Sequence, residues 1–301
     1  MIKKSGIIEA IFSATIFGAM PLFTKFIYSF GANEISAAFC RMCLSLGFIF
    51  IIGKAKKQPF KISFKEAKLL FVASLGFVFT SLTLFKACNH MDSGAVTSIH
   101  FAYPVIIFIM VSIKMKKIPH VGEMEAIIMC TLAIPFLANS KSSINIYGII
   151  LALISALTYS IYSYTLENDG LKSINKNARL FYVNLLSTII LIIYSVITKE
   201  NIKLDLSGRE WIIAIVYSVI LTLGATSLYQ RAIASIGAKY TSILSTFEPI
   251  TSVLIGIALL GEKITFIQVL SIIVICNCTL YLVSSNGKKH TIKPSVKKTD
   301  I

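Results

Sequence analysis

The chain has 301 residues, of which 55% are hydrophobic and only 14% charged, with a mean hydropathy of +0.79. So little charge cannot cover the surface of a water-soluble domain of this size, so the composition indicates a membrane protein. The net charge of +15 raises nucleic acid as a partner. The basic residues follow the loops, however, instead of gathering on one surface with base-stacking groups, so no nucleic acid is expected.

About 20 apolar residues make a helix long enough to cross the hydrocarbon core. Ten segments are read on that basis: 5–30, 34–53, 66–88, 92–113, 121–138, 146–165, 179–198, 210–232, 239–260 and 264–284. Lys3 and Lys4 before the first give it the look of a signal peptide. The run is long, contains Glu9 and lacks a small-residue cleavage site, so it is read as a retained helix. Arg41 lies near the outer end of the second segment, placed either to pair with Glu34 or to bind anions. Cys40 and Cys43 have CxxC spacing there without a partner pair. Cys276 and Cys278 point to different faces of the tenth, so neither a metal site nor a disulfide framework follows. Lys86 and Arg231 end the third and eighth segments and are expected to snorkel to the headgroups. Residues 285–301 read as a basic, disordered tail at the inner face.

With the N-terminus inside, 21 of the 29 lysines and arginines fall in the N-terminus, the inner loops with the segment ends that border them, and the C-terminal tail, the densest run being Lys54 to Lys68. This positive-inside bias predicts cytoplasmic N- and C-termini in the cell (inner or plasma) membrane.

The two halves of the chain are alike. A constant offset of 145 pairs Lys86 with Arg231, Ala87 with Ala232, Thr97 with Ser242 and Pro104 with Pro249, without a gap. Two similar halves in a membrane chain most often mean a transporter with its site between them. Five segments per half give the halves opposite orientations. The fold class expected is therefore an all-α membrane protein with ten transmembrane helices in two inverted five-helix repeats, 5–138 and 146–284, followed by the tail 285–301.

Particular motifs carry a resemblance. Leu228-Tyr229-Gln230-Arg231-Ala232, Phe247-Glu248-Pro249 and Leu259-Leu260-Gly261-Glu262-Lys263 resemble the second repeat of EamA-type carriers of the drug/metabolite transporter superfamily. Phe17-Gly18 and Arg41 also resemble that pattern, and the likeness covers roughly residues 6 to 284. Met115-Lys116-Lys117 departs from it, standing where the first repeat would carry a Leu-Gly-Glu of its own. The resemblance implies ten helices in two inverted repeats that move small metabolites through a central cavity. Such carriers take amino acids, nucleobases, amines, sugars and drugs.

The residues themselves mark a site. Thr97, His100 and Pro104 lie at i, i+3 and i+7, on one helix face, and Ser242, Ser245 and Pro249 repeat the pattern. Tyr103 and Glu248 are paired by the same offset. Proline frees a carbonyl one turn earlier, and in lipid that carbonyl needs protein or cavity water. Glu248 is the sharpest signal, because a mid-helix charge costs about 2.5–3.5 kcal/mol on insertion scales. It is read as a cation partner, a proton carrier, or a carboxylate tied to hydroxyls. His100 is read as a ligand or proton acceptor, or as a satisfied core histidine. Phe17, Met20, Tyr159, Tyr162, Tyr229 and Gln230 fall on segments that pseudo-symmetry relates and are expected to line the same cavity. Tyrosine suits small amphiphilic solutes or cations.

The function expected is secondary transport of a small organic metabolite such as an amino acid, an amine or a related solute, as exporter or exchanger, by alternating access. A flippase for a lipid-linked group and a non-transporting membrane sensor are the alternatives. No catalytic residue, metal or cofactor is expected. The partners expected are the solute and the lipid bilayer, with protons as a coupling ion and a homo-oligomer as further options.

Overall fold

The computed structural model describes residues 3–91, 93–116, 121–137, 145–260 and 264–289, and every regular element among them is a helix. In chain order these are α1 (Lys4–Gly18), α2 (Met20–Ser29), α3 (Glu34–Ala55), α4 (Phe64–Cys88), α5 (Ser93–His100), α6 (Tyr103–Met115) and α7 (Val121–Ala133), which ends in a 3₁₀ turn over Ile134–Leu137. Then follow α8 (Ile146–Leu166), the short α9 (Asp169–Lys172), α10 (Lys176–Thr198), α11 (Gly208–Val219), α12 (Ser227–Leu244), α13 (Phe247–Leu260) and α14 (Phe266–Lys289). A π-helical stretch, Ile220–Thr226, joins α11 to α12.

The helix starts are written in the sequence. The Asn33 and Asn145 side chains accept from the backbone N–H groups of Ser36 and Gly148. Ser63 and Glu66 cap α4 reciprocally. Each device satisfies donors that the first turn leaves orphaned.

Burial is arranged for lipid. Phe12, Ile51, Ile113, Val196 and Phe266 are exposed on the outside, while Ser13, Ser45, Ser74, Asn184 and Ser187 are buried within. Apolar surface meets hydrocarbon at no cost, and interior hydroxyls reach across to neighbouring helices: Ser13 Oγ donates to the Ala225 carbonyl at 2.8 Å, and Ser74 Oγ lies 3.2 Å from the Val183 carbonyl, whereas Ser187 Oγ has no hydrogen-bond partner among the described residues. The most extensive helix pairing is between α4 and α8. A Cβ built on Gly76 would lie 2.8 Å from the Thr158 carbonyl oxygen, so only glycine permits the approach.

Among the described residues, six helices are long and apolar enough to cross a membrane, and a shorter apolar helix runs over Phe266–Leu282. Ten continuous crossings were expected, and several of those segments are broken. The first divides at Ala19 into α1 and α2. The fourth divides between His100 and Tyr103, and the ninth between Leu244 and Phe247. These last two breaks fall at positions related by the repeat offset, just before Pro104 and Pro249. Each proline lacks an N–H, and its ring clashes with the carbonyl four residues earlier, so the helix restarts there. A further kink falls at Gly237, whose φ of +84° is a conformation that favours glycine. The C-terminal helix continues to Lys289, so the first residues of the expected disordered tail are helical. The rest of that tail, and the Gly261-Glu262-Lys263 of the quoted motif, lie outside the described residues, as does Lys117.

Polar contacts gather at the two ends of the bundle. At one end Lys86 Nζ bonds Glu200 at 2.8 Å and the Tyr194 hydroxyl at 3.0 Å, Asn33 bonds the Asn201 carbonyl at 2.9 Å, and the His90 and Tyr147 rings meet edge to face. Glu34 meets Asn89 here and not Arg41. At the opposite end Arg231 pairs with Glu9, Lys239 pairs with Glu123 at 3.1 Å, and Tyr182 donates to the Phe60 carbonyl at 2.8 Å. Lys86 and Arg231, expected to snorkel to headgroups, each meet a carboxylate at a bundle end and remain partly exposed. Arg179, the first residue of the segment read as 179–198, is 2% exposed. Its guanidinium donates to the Gln230 and Leu171 carbonyls at 2.8 and 3.3 Å.

Candidate functional site

Within the bundle lies a cavity with about 130 Å³ of water-accessible space, roughly ten times what one water molecule requires. Its wall is formed by α1–α2 (Phe17, Met20, Tyr28), α3 (Arg41), α4 (Phe77, Thr80, Ser81, Leu84, Phe85, Cys88), α5 (Thr97, His100), α8 (Tyr159) and α13 (Glu248). It extends toward the Cys88 end of α4. Beyond that end is a second, polar recess that includes Glu34, Lys86, His90, Lys199 and Glu200.

Arg41 is the most heavily constrained group in the wall. It is 5% exposed. Its guanidinium carbon lies 5.3 Å from the Phe17 ring centroid and 5.1 Å from that of Phe77, both cation–π distances. Its Nη2 donates to Thr226 Oγ1 at 3.2 Å. Its backbone carbonyl accepts from the hydroxyls of both Ser218 and Thr222, at 2.9 Å each. The π-helical stretch explains this cluster. The wider turn presents Ser218, Thr222 and Thr226 together toward α3, and Thr226 Oγ1 donates to the carbonyl of Leu221, five residues back.

Glu248 enters the cavity from the restart of α13. Its backbone N–H bonds the Ser245 carbonyl at 2.9 Å across the break. Among the described residues its carboxylate makes no ion pair or hydrogen bond, although it shares the cavity with Arg41. The reading of Glu248 as a carboxylate tied to hydroxyls is thus not what the structure contains.

His100 ends α5. Its Nδ1 lies 2.8 Å from Ser155 Oγ, and that hydroxyl lies 2.6 Å from the Ala152 carbonyl. The hydroxyl has one proton, which goes to the carbonyl. The histidine Nδ1–H is then the donor to Ser155, and Nε2 keeps its lone pair.

Beneath the cavity stands a floor of aromatic rings. Tyr159, which also lines the cavity, lies edge-on to Tyr103 at 4.7 Å and stacks on Tyr229 at 5.4 Å. Tyr162 stacks on Tyr229 at 6.3 Å. The floor is pinned by hydrogen bonds: Tyr229 with Ser163 at 2.8 Å, Gln230 Nε2 to the Tyr162 hydroxyl at 3.1 Å, and Arg179 to Gln230. Tyr103, Tyr162, Tyr229 and Gln230 are each at most 1% exposed.

Of the residues singled out by sequence, Phe17, Met20, Thr97, His100, Tyr159 and Glu248 come together in the cavity wall. Tyr103, Tyr162, Tyr229 and Gln230 do not line it and belong to the floor. Ser245 is in neither place: it is 4% exposed, and its hydroxyl donates to the Thr241 carbonyl within its own helix. Sequence reasoning did not place Arg41 in the cavity and missed the whole face of α4. That face had a signal. Phe77, Ser81 and Phe85 recur every fourth residue, with Thr80, Leu84 and Cys88 in register beside them.

A family model described as the EamA-like transporter family matches residues 4–138 and again 146–284. The chain belongs to the EamA-like transporter family and is a multi-pass membrane transporter, for which a small-molecule substrate and a lipid bilayer are the partners. A Bacillus subtilis (strain 168) protein named "Uncharacterized transporter YcbK" is 22% identical over 286 residues, covering 88% of each chain. A protein of known crystal structure superimposes with a TM-score of 0.73 at 12% identity, over 96% of this chain and 99% of that one, which shows a shared fold.

Proposed function

We propose that this transporter is a secondary carrier that moves a small organic metabolite through the described cavity by alternating access, as exporter or exchanger. The observation that carries the reading is the asymmetry of the cavity. It extends toward one end of the bundle, and at the other end it is floored by the tyrosine stack and the Arg231–Glu9 and Lys239–Glu123 contacts. A carrier caught facing one side has this form. The proline breaks after α5 and α12 place half-helices at the cavity at repeat-related positions, where non-helical backbone can be satisfied by protein and solvent.

Two repeats, 5–138 and 146–284, run in opposite senses on this reading, with ten crossings and a basic tail from 285. The end contacts support it. The start of α1 meets Arg231 at one end, and the start of α8 meets His90 at the other. By the positive-inside bias the Cys88 end faces outward, and both termini lie in the cytoplasm. Among the described residues Glu248 is the only acid in the cavity wall, and it is the group through which a proton gradient would couple to solute movement. Counterflow in sealed proteoliposomes tests the proposal. Labelled solute should enter against excess internal solute only when the protein is present. A flippase would instead move labelled lipid, and a sensor would give no flux.

A further inference from the structure

We infer that the solute is a zwitterion, a small molecule with one anionic and one cationic group on a short apolar body, its anion held by Arg41 and its cation by Glu248. This rests on the reading of the cavity as the solute site.

Two opposite charges face one cavity, and among the described residues neither forms an ion pair. Among the described residues, Arg41 has no carboxylate within ion-pair distance. Its Nε is buried without a hydrogen-bond partner. Its remaining polar contacts are one hydroxyl, Thr226, and a long contact of Nη1 to Met20 Sδ at 3.8 Å. A guanidinium has five donors, and a planar carboxylate is the ligand that two parallel donors fit best. Leaving such a charge buried and unpaired is costly, so an anion belongs beside it. The Glu248 carboxylate, which is partly buried, likewise has no ion-pair or hydrogen-bond partner among the described residues and calls for a cation.

The pair could have met directly and closed the site, as Lys86 and Glu200 do at 2.8 Å elsewhere in the molecule. It does not, because each side chain is fixed separately. Arg41 is held between the faces of Phe17 and Phe77 and anchored through its backbone to Ser218 and Thr222. Glu248 is set by the restart of α13 and by the close seat of that helix against Gly18. A solute with a single charge would satisfy one group and leave the other uncompensated, which selects against it. Phe17, Met20, Phe77, Leu84 and Phe85 of the same wall suit an apolar body.

The test uses purified full-length protein and a panel of amino acids from glycine to tryptophan. Each is accompanied by the amine and the carboxylic acid that lack one of its charges, for example leucine with 3-methylbutylamine and 4-methylpentanoate. Thermal shift finds binders, and titration ranks them. The inference requires that at least one amino acid bind tenfold or more tightly than both of its single-charge analogues. In Arg41→Gln the preference over the amine should vanish, and in Glu248→Gln the preference over the acid. The analogue comparison uses the wild-type protein, so a variant that fails to fold does not protect the idea. A panel in which every amino acid that binds falls short of a tenfold advantage over one of its analogues overturns it, and so does a panel in which no amino acid binds. Vesicle flux separates the two levels: amines carried without any zwitterion would remove this inference and leave the carrier, whereas zwitterion binding without flux would do the reverse.

Discussion

Replacing Gly18 with alanine should lower both stability and transport, although the change adds one methyl group. Gly18 ends α1 against α13. A Cβ there would lie 2.7 Å from the Glu248 carbonyl oxygen, 2.7 Å from Thr251 Cβ and 3.1 Å from the Ser252 nitrogen. Two of these three are backbone atoms, which cannot rotate away, so the helices must separate. Overpacking of this kind costs about 1–3 kcal/mol. Against it stands the higher helix propensity of alanine, worth up to about 1 kcal/mol. The balance is a loss of about 1 kcal/mol, or a fall in Tm of about 2–4 °C. Separation would also move Glu248 relative to Arg41 and reduce transport more than the stability loss explains. Gly47, with no atom within 4 Å of an added Cβ, is the control. Thermal unfolding in detergent and counterflow in proteoliposomes are read on both variants. Gly18→Ala with wild-type melting and flux, or Gly47→Ala as damaging as Gly18→Ala, would refute the packing argument.

Three further outcomes are expected. Lys86→Ala and Glu9→Gln each break a partly exposed ion pair between the two halves of the chain, at opposite ends of the bundle, and should change stability by less than about 1 kcal/mol. They should shift accessibility of the cavity in opposite directions, read as opposite changes in the rate of Cys88 labelling. Ser155→Ala removes the acceptor of His100 Nδ1–H, leaves that donor without its partner and should destabilise the protein by about 1–3 kcal/mol in a thermal melt; no change would mean that the 2.8 Å contact is not a hydrogen bond. A cysteine introduced at position 203 should react with an impermeant reagent applied to intact cells and one at position 57 should not, and the reverse pattern would invert the proposed orientation.

The sequence carried the helical nature, the repeat and much of the cavity, because each leaves a one-dimensional trace. An apolar run, a fixed offset of 145, and a glutamate before a proline in a hydrophobic stretch can all be read without coordinates. What could not be read depends on who meets whom across the bundle. Arg41 looked like a neighbour of Glu34 because both lie on α3, yet the π-helical turn on a distant segment draws it inward to Thr226. Lys86 and Arg231 looked like lipid-facing cations because their partners Glu200 and Glu9 are far away in sequence. Ser245 shares its helical register with His100, but its hydroxyl bonds the Thr241 carbonyl one turn earlier, as helical serines commonly do. The ten-segment count treated each apolar run as one rod, whereas the first, fourth and ninth are divided close to a proline; Gly237 falls between the eighth and ninth segments as read.

The central claim is that solute passes through the cavity that holds Arg41 and Glu248. Cys88 lines that cavity and gives a direct measurement, once the other five cysteines, Cys40, Cys43, Cys130, Cys276 and Cys278, are replaced by serine or alanine. Counterflow in proteoliposomes is measured before and after complete reaction of Cys88 with a bulky charged thiol reagent. The account predicts that modification abolishes flux and that bound solute slows the reaction. Undiminished flux through protein with Cys88 fully modified would contradict it.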